Sequence, residues 1–366
     1  MKVDIVTCYE SNEERMSFVY DACLNRGYDV EAITSDFSHI RKEKRNNIPA
    51  GYTAISTMPY RKNLSLKRML SHRRFAKDAF SHLNEKKPDM IWLMAPANSL
   101  IMEAMKYKEK NPETKIIIDI IDMWPESLPL GIDSSVFPLN IWRNIRKDNL
   151  VCADAVVTEC DLYQDILKNE YRGKMTTIHW GRDMKAEKNQ SVLSDDLLVL
   201  CYIGSINNII DTERISAMIA GIQMPVKLHV IGEGENKDIF LSELKKVCDV
   251  QYHGAIRDEE KKKEIFDLCH AGINIYKEGL FIGLTVKCID YFQHGLPIIN
   301  NIRGDTWKMV EENHAGINIG ADNRIDAEKL IEMRKENSGI FELFENNFTK
   351  EVFTEKCLSI IDEVTE

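Results

Sequence analysis

The stretch GLTVKCIDYFQHGLPIIN, residues 283–300, predicts a loop, a short helix and a buried strand in that order. Thr285 is a favourable N-cap residue, Gly295 suits the end of a helix, and Pro297 prevents the helix from continuing. The apolar residues IIN after the proline are typical of a buried strand. The stretch is therefore one helix–strand step of an alternating α/β chain.

The same stretch also carries groups that suit a nucleotide sugar. A loop that enters a helix presents unpaired backbone N–H groups and the positive end of the helix dipole, and both favour a phosphate. Lys287 adds a cation in the first turn, and Asp290 can accept hydrogen bonds from sugar hydroxyls. We therefore predict that Gly283, Leu284 and Thr285 join these two residues in binding a sugar diphosphate. The alternative is an ordinary capped helix that binds nothing.

Apolar strands alternate with amphipathic helices on both sides of a polar, aperiodic linker at residues 181–195. Such alternation predicts parallel sheets covered by helices on both faces. We expect a Rossmann-like domain at residues 1–183, a second one at residues 190–348, and a last helix within residues 349–366 that packs back on the first domain. The predicted class is α/β, with two doubly wound domains facing an interdomain cleft that holds the site.

Composition and cysteine usage indicate the compartment. Hydrophobic residues make up 44% of the 366 residues and charged residues 29%, as in ordinary globular proteins. The nine cysteines are scattered singly without a CxxC pair, which favours a reducing compartment. The first residues, MKVDIVTCYE, begin a strand rather than a signal peptide, and no apolar run reaches the ~18–20 residues of a membrane span. We expect a cytoplasmic protein.

Positive charge is concentrated in one segment of an acidic chain. The net charge is −10, which argues against general nucleic-acid binding, yet residues 41–77 hold eleven basic residues and one acid, Glu43. Such a segment could meet an anionic membrane surface, and a solvated helix face is the alternative. The candidate membrane patch consists of Arg61, Lys62, Lys67, Arg68, Arg73 and Arg74.

Glycine turns follow two predicted strands of the second half. In YIGSINN, residues 202–208, Gly204 allows a ligand to approach the backbone, while Ser205 and Asn207 offer side-chain donors. A plain strand–helix turn is the alternative. VIGEGE, residues 230–235, is a similar turn, but its two glutamates would repel phosphate, so it faces the base or is structural.

The first half has its own candidate site in DIIDMWPESLPLG, residues 119–131. Asp119 and Asp122 are three apart on a strand, so they point to opposite faces and do not make a metal pair. Asp122, at the end of the strand, could hold an acceptor hydroxyl as a base or orienting group. Trp124 would suit a sugar ring, with Glu126 beside it. The alternative is a loop-capping aspartate and a buried tryptophan.

Taken together, these segments resemble the retaining glycosyltransferases of family 4, the group 1 transferases with the GT-B fold. DMWPES resembles the DLWPES of transferases that build bacterial surface polysaccharides, and YIGSIN, VIGEGE and YHGA resemble strand-end turns of the donor domain. The family pattern P-x-K-x-x-E-Y-x-A-x-G-K-P-V is matched at Lys287, Asp290, Tyr291, Gly295 and Pro297.

The resemblance implies sugar transfer, with retention, from a nucleotide diphosphate sugar to a lipid-linked or oligosaccharide acceptor in bacterial capsule or exopolysaccharide biosynthesis. It assigns catalysis to Lys287 and Asp122, the ribose to Asp290, and further donor contacts to Ser205 and Asn207 beside Gly204. It implies no cofactor and no metal ion, and the basic segment at residues 41–77 would hold such an enzyme at the inner face of the cell membrane.

Three departures from the family pattern leave two alternatives open. Ile282 stands where the first acid of the two-glutamate motif is expected, and Asp290 replaces the second. The Arg and Lys that usually follow the donor-domain glycine turn are not evident, although Arg214 could substitute. The alternatives are a non-catalytic GT-B nucleotide-binding partner subunit and a nucleotide-sugar epimerase.

Overall fold

The computed structural model describes residues 1–63, 65–128, 134–183 and 193–366. The chain divides into two compact units, one formed by Met1–Gly181 with Lys350–Glu366 and the other by Arg182–Thr349. Most of the expected linker, and the expected start of the second domain at residue 190, lie outside the described residues.

The first unit is built on a seven-stranded parallel sheet of order β3-β2-β1-β4-β5-β6-β7. The central strands β1, β4 and β5 are buried except for the first residues of β1 and β5, as expected for a sheet covered on both faces. The strand order reverses between β1 and β4, which is where α/β sheets bind ligands. The strands are β1 Lys2–Thr7, β2 Asp29–Ser35, β3 Tyr52–Ile55, β4 Met90–Ala95, β5 Lys115–Ile120, β6 Ala155–Thr158 and β7 Lys174–Thr177.

Helices connect these strands, and sequence reasoning found most of them. The edge strand β3 was not predicted, because it lies within the basic segment at residues 41–77. The helices are α1 Glu13–Asn25, α2 Leu66–Lys86, α3 Asn98–Lys110, α4 Leu139–Lys147 and α5 Asp161–Leu167, with short 3₁₀ turns at Glu10–Asn12 and Leu150–Cys152.

The second unit contains a six-stranded parallel sheet of order β10-β9-β8-β11-β12-β13, whose order reverses between β8 and β11. Its strands are β8 Leu198–Ile203, β9 Val226–Ile231, β10 Asp249–Gly254, β11 Ala271–Asn274, β12 Ile298–Asn300 and β13 Gly316–Asn318. Its helices are α6 Thr212–Ala220, α7 Lys237–Leu244, α8 Glu259–Phe266, α9 Val286–Gln293, α10 Asp305–Glu312, α11 Ala327–Lys335 and α12 Ser338–Asn347.

The last helix, α13 Lys350–Thr365, belongs to the first unit. Its Phe353 ring lies 5.5 Å from that of Phe18 in α1, and Lys350 pairs with Asp21 at 2.9 Å. Two doubly wound parallel sheets flanked by helices confirm the predicted α/β class.

Candidate functional site

The reversal point of the second sheet is formed by two glycine turns packed backbone to backbone. Gly204, directly after β8, has φ +124°, a conformation that favours glycine. A Cβ added at Gly232, after β9, would lie 2.0 Å from the Gly204 carbonyl oxygen, and one at Gly234 would lie 2.1 Å from that of Ile206. Because no side chain separates these turns, the backbone at residue 204 is open to a ligand.

Lys287 reaches the same point from the first turn of α9. Its side chain is buried, and a Cβ at Gly204 would lie 3.9 Å from its Nζ. The Nζ lies 4.3 Å and 4.7 Å from the ring centroids of Tyr202 and Tyr276, and among the described residues nothing accepts a hydrogen bond from it. Burial lowers the pKa of Lys287 to about 8. A buried ammonium without a counter-ion is costly, so this position suits an anionic ligand.

The start of α9 differs from the prediction in one respect. Thr285 occupies the N-cap position, but its side chain makes no capping hydrogen bond. Its Oγ1 instead donates to Oδ1 of Asn274 at 2.9 Å. The preceding loop is held at Gly283, whose carbonyl accepts from the N–H and Oγ1 of Thr306 at 2.9 Å and 2.8 Å. The loop is thus fixed from behind. The side chain of Thr285 caps none of the first-turn N–H groups, although the N–H of Cys288 donates to the Thr285 carbonyl at 3.0 Å.

A buried asparagine ladder supports this loop, and sequence reasoning missed it. Nδ2 of Asn274 donates to Oδ1 of Asn300 at 2.8 Å, and Nδ2 of Asn300 donates to Oδ1 of Asn318 at 2.7 Å. The three residues end β11, β12 and β13 in register. The signal in the sequence was an Ile-Asn pair at the end of each of these strands. The ladder positions Thr285, and through it the start of α9.

Asp290, one turn beyond Lys287, is held by an arginine that sequence reasoning did not select. Nε and Nη2 of Arg182 donate to its Oδ1 at 3.0 Å and 2.8 Å. Arg182 lies in the segment predicted to be a linker, and 108 residues separate the partners. The pair fixes the orientation of the carboxylate that was predicted to bind ribose.

The other residues predicted to bind the donor differ in their exposure and in their hydrogen-bond partners. Ser205 is exposed beside Gly204, while Oδ1 of Asn207 accepts from the N–H of Ile209 at 3.2 Å and so shapes its own turn. Leu284 is buried next to Gly283. Arg214 does not substitute for the missing basic pair, because its Nε donates to Oδ1 of Asn323 at 2.7 Å and its Nη2 donates to the Gly320 carbonyl.

In the first unit, Asp122 lies just beyond β5 and is held by two donors. Its Oδ2 accepts from Nε1 of Trp124 at 2.6 Å, and its Oδ1 accepts from Oγ of Ser127. Burial raises the pKa of Asp122 above its ordinary value, although both donors oppose the shift. Asp119, within β5, pairs with Arg15 at 2.8 Å, and both side chains are fully buried. The two aspartates therefore have different partners, Asp119 an arginine and Asp122 the side chains of Trp124 and Ser127.

Trp124 is not an open platform for a sugar ring, which corrects the interpretation of this residue. It is buried, and the guanidinium carbon of Arg68 lies 4.2 Å from its ring centroid. The rings of Trp142 and Tyr9 pack at 5.8 Å and 6.0 Å. The alternative weighed from the sequence, a buried tryptophan beside a loop-capping aspartate, describes this residue better.

Glu126 is also structural rather than exposed to an acceptor. Its two carboxylate oxygens accept from Arg146 at 2.8 Å and 3.0 Å. Arg146 is buried and also binds both oxygens of Glu170, at 2.9 Å and 3.0 Å. Both oxygens of the Glu126 carboxylate are therefore occupied by a buried ion-pair network.

The candidate membrane patch loses one member. Arg68 is only 2% exposed, because it belongs to the inward face of α2, so its assignment to a surface patch is wrong. The other five residues are exposed, namely Arg61, Lys62, Lys67, Arg73 and Arg74.

No helix in the described ranges is long and apolar enough to cross a membrane. Within those ranges, no three His, Cys, Asp or Glu side chains are grouped so that they could hold a metal ion.

Neither a protein-family model nor a curated protein sequence matches the chain. Solved structures match it over nearly its full length. A sucrose-phosphate synthase from Thermosynechococcus elongatus has a TM-score of 0.72 at 12% identity, covering 100% of this chain and 99% of that one. The apo form of the lipopolysaccharide outer core galactosyltransferase WaaB has a TM-score of 0.71 at 14% identity, covering 99% of each chain.

A third match is Anabaena HepE in complex with UDP and glucose, with a TM-score of 0.65 at 9% identity, covering 99% of this chain and 100% of that one. These three proteins share the GT-B architecture of two parallel-sheet units. The chain therefore has the GT-B fold, as its sequence predicted.

Proposed function

We propose that this protein is a retaining glycosyltransferase, which moves a sugar from a nucleotide diphosphate sugar to a lipid-linked or oligosaccharide acceptor. The observation that carries the proposal is the buried ammonium of Lys287. Among the residues that the structure describes it has no counter-ion, and it lies beside the Gly204 turn, at the reversal point of the second sheet, in a GT-B fold. Among the structures with this fold, HepE is in complex with UDP and glucose.

The second unit would stabilise the departing nucleotide diphosphate. As the bond to the sugar breaks, negative charge grows on the diphosphate, and a preorganised cation close to it lowers the barrier. Lys287 supplies the cation, and the uncapped N–H groups at the start of α9 supply hydrogen bonds. We assign the backbone of Gly204, Gly283 and Leu284 to the diphosphate, and Ser205, Asn207, Thr285 and Asp290 to the rest of the donor.

On the first unit, we assign the acceptor hydroxyl to Asp122. Its raised pKa indicates a carboxyl group that takes up a proton more readily than an ordinary aspartate. Trp124 and Ser127 hold both oxygens in place and so define its orientation. In retaining front-face transfer the departing phosphate accepts the acceptor proton, and Asp122 then acts as a positioning group.

The charge of Lys287 takes the role that a divalent metal ion has in other sugar transferases. We therefore propose that the reaction is independent of added metal. Transfer measured in EDTA should match transfer measured in Mg²⁺ or Mn²⁺. A rate that collapses in EDTA and recovers on addition of a divalent cation would contradict this assignment.

The activity is tested with UDP-, GDP- and dTDP-sugars, combined with bacterial lipid extracts and free oligosaccharides as acceptors, by following release of the nucleoside diphosphate. We expect release with at least one donor, dependent on the acceptor, and retention of the anomeric configuration in the product. Nucleotide binding without release would indicate the non-catalytic subunit instead. Conversion of the donor sugar without an acceptor would indicate the epimerase.

We further propose that the enzyme works at an anionic membrane, through one face of α2. Leu66 and Leu70 are 77% and 58% exposed on this face, and basic residues surround them. Each basic residue close to an anionic surface contributes about 1 kcal/mol, and exposed leucines add apolar contact. The face consists of Leu66, Lys67, Leu70, Arg73, Arg74 and Lys77.

Reversing three charges on this face should release the protein from vesicles of phosphatidylserine and phosphatidylcholine. The variant Arg73→Glu, Arg74→Glu, Lys77→Glu should remain in the supernatant on sedimentation, while the wild type pellets in low salt. A matched control reverses three exposed lysines of the second unit, Lys245, Lys246 and Lys261, and should pellet as the wild type does. Equal sedimentation of both variants and the wild type would refute the membrane assignment.

A further inference from the structure

Arg68 is a buried guanidinium that pairs with no carboxylate in the described part of the chain. It lies near the start of α2 and is 2% exposed. Its Nη1 donates to the carbonyl of Asn63 at 2.8 Å and its Nη2 donates to the hydroxyl of Tyr9 at 2.9 Å, so both acceptors are neutral. Across the described residues, nothing accepts a hydrogen bond from its Nε. The full positive charge is therefore uncompensated by direct contact.

Aromatic rings surround this cation but leave its charge in place. The guanidinium carbon lies 4.2 Å from the ring centroid of Trp124, 5.7 Å from that of Tyr9 and 5.8 Å from that of Tyr60. Cation–π contacts offset part of the cost of burying a charge, yet they do not replace a counter-ion.

The nearest acids are used elsewhere. The carboxylate of Glu10 accepts from Oγ of Ser38 at 2.6 Å and from the N–H groups of His39 and Ile40 at 2.8 Å and 3.1 Å. Asp122 is held by its two donors, as described above. Neither acid forms a salt bridge with Arg68 in the described structure, so its guanidinium can still bind an anion through Nε.

Further groups around Arg68 favour an anion. Lys42 lies 4.9 Å from the ring centroid of Tyr60, and burial together with the charge of Arg68 lowers its pKa. His39 and His72 hydrogen bond to Tyr60 and Tyr9 at 2.6 Å and 2.8 Å. Burial, and next the charge of Arg68, lower the pKa of both imidazoles, that of His39 to about 4. Both rings are therefore neutral and can act as donors.

The position of this cluster in the fold also points to a ligand. Tyr9 follows β1, His39 follows β2 and Trp124 follows β5, so the groups gather at the carboxyl ends of parallel strands. They lie at the side of the first sheet where the strand order reverses between β1 and β4. Ligands of open α/β sheets bind at this location.

We propose that Arg68 and Lys42 bind an anionic group, a phosphate or carboxylate, that is carried by the acceptor. The assignment of the ligand as an acceptor rests on the proposed transferase function, whereas the anion site itself does not. The shared chemistry is an oxyanion held by a guanidinium fork, an ammonium and phenol or imidazole N–H and O–H donors. A sugar phosphate, an acidic sugar and a lipid phosphate would all supply it.

The test uses full-length protein that carries Lys287→Met. Inorganic phosphate then has no binding site at residue 287, and the binding that is measured belongs to the Arg68 site. Calorimetric titration with inorganic phosphate should show binding, and adding Lys42→Gln or Arg68→Gln should weaken it about tenfold or more. Arg73→Gln, on the exposed face of the same helix, is the matched control and should not change the affinity. The partly exposed Lys42 keeps the test valid if Arg68→Gln does not fold.

Three ligand pairs then identify the source of the charge: glucose 6-phosphate against glucose, glucuronate against glucose, and farnesyl phosphate against farnesol. The charged member should bind more tightly in at least one pair, and Lys42→Gln should remove that preference. No binding of phosphate or of any charged ligand would overturn the proposal, as would equal binding by Lys42→Gln and its parent.

Failure of the proposed function is recognised separately. Binding of a nucleoside diphosphate through Lys287 is measured in protein with the natural lysine, and Lys42→Gln should leave it unchanged. If the protein binds phosphate at Arg68 but binds no nucleoside diphosphate, the transferase assignment is contradicted, whereas the assignment of an anion site at Arg68 stands.

Discussion

Replacing Lys287 with methionine should abolish sugar transfer and at the same time stabilise the folded protein. Turnover should fall about a thousandfold, because the cation beside the Gly204 turn is removed from the developing charge of the leaving group. Methionine keeps the length of the side chain and packs well against the rings of Tyr202 and Tyr276. The variant therefore removes charge with little change in shape.

The gain in stability follows from the lowered pKa of Lys287. In the unfolded chain a lysine has a pKa near 10.5, whereas burial in the folded protein lowers it to about 8. At pH 7 the native state must carry the charged form, at a cost of about 3 kcal/mol. The variant escapes that cost, so its melting temperature should rise by several degrees.

The lowered pKa of Lys287 also determines how the free energy of unfolding of the wild type depends on pH. Between pH 8 and about 10.5 the unfolded state binds one more proton than the native state, so the free energy of unfolding rises with pH across this window. This contribution should be missing in Lys287→Met. Lys308→Met, on the exposed surface of α10, is the control and should leave turnover, melting temperature and pH dependence unchanged. A destabilised, fully active Lys287→Met would contradict the assignment.

The second large effect is expected at Arg146 in the first unit. Arg146→Met should lower the free energy of unfolding by about 3–5 kcal/mol, because it removes the close hydrogen-bonded partner of the buried carboxylates of Glu126 and Glu170. The loss is measured as a shift of the urea midpoint of the first unit. Arg143→Met is the matched control, since that side chain is 32% exposed and lies 3.6–3.7 Å from the same carboxylates.

This result bears directly on Glu126, which the sequence suggested as an acceptor-side residue. If the carboxylate only serves the ion-pair network, Glu126→Gln should destabilise the first unit and leave the turnover of folded enzyme close to that of the wild type. A stable Glu126→Gln protein with severely reduced turnover would instead place this residue in the acceptor site.

The sequence predicted those features that local patterns determine. The period of apolar residues gave the parallel strands and most helices, and the glycine and proline pattern around Lys287 gave the loop, helix and strand of the donor side. It also brought Lys287 and Gly204 into one hypothesis, because both follow strands of the same predicted sheet. The structure places these two groups side by side.

Long-range pairing decided what the sequence could not predict. Arg68 stands in a run of basic residues typical of a solvated surface, and only the neighbouring rings reveal that it is buried. Asp290 forms a salt bridge with Arg182, which is 108 residues away in the sequence, and Glu126 forms one with Arg146. A charged side chain gives no local sign of its partner, so the roles of such residues depend on tertiary contacts.

The central claim is that Lys287 and the Gly204 turn bind the diphosphate of a nucleotide. Calorimetric titration at pH 7 with UDP, GDP and dTDP, each compared with its monophosphate, tests it most directly. We expect at least one diphosphate to bind more tightly than its monophosphate, and Lys287→Met to remove that difference while Lys308→Met keeps it. If none of the diphosphates binds, or if Lys287→Met binds them as the wild type does, the account is contradicted.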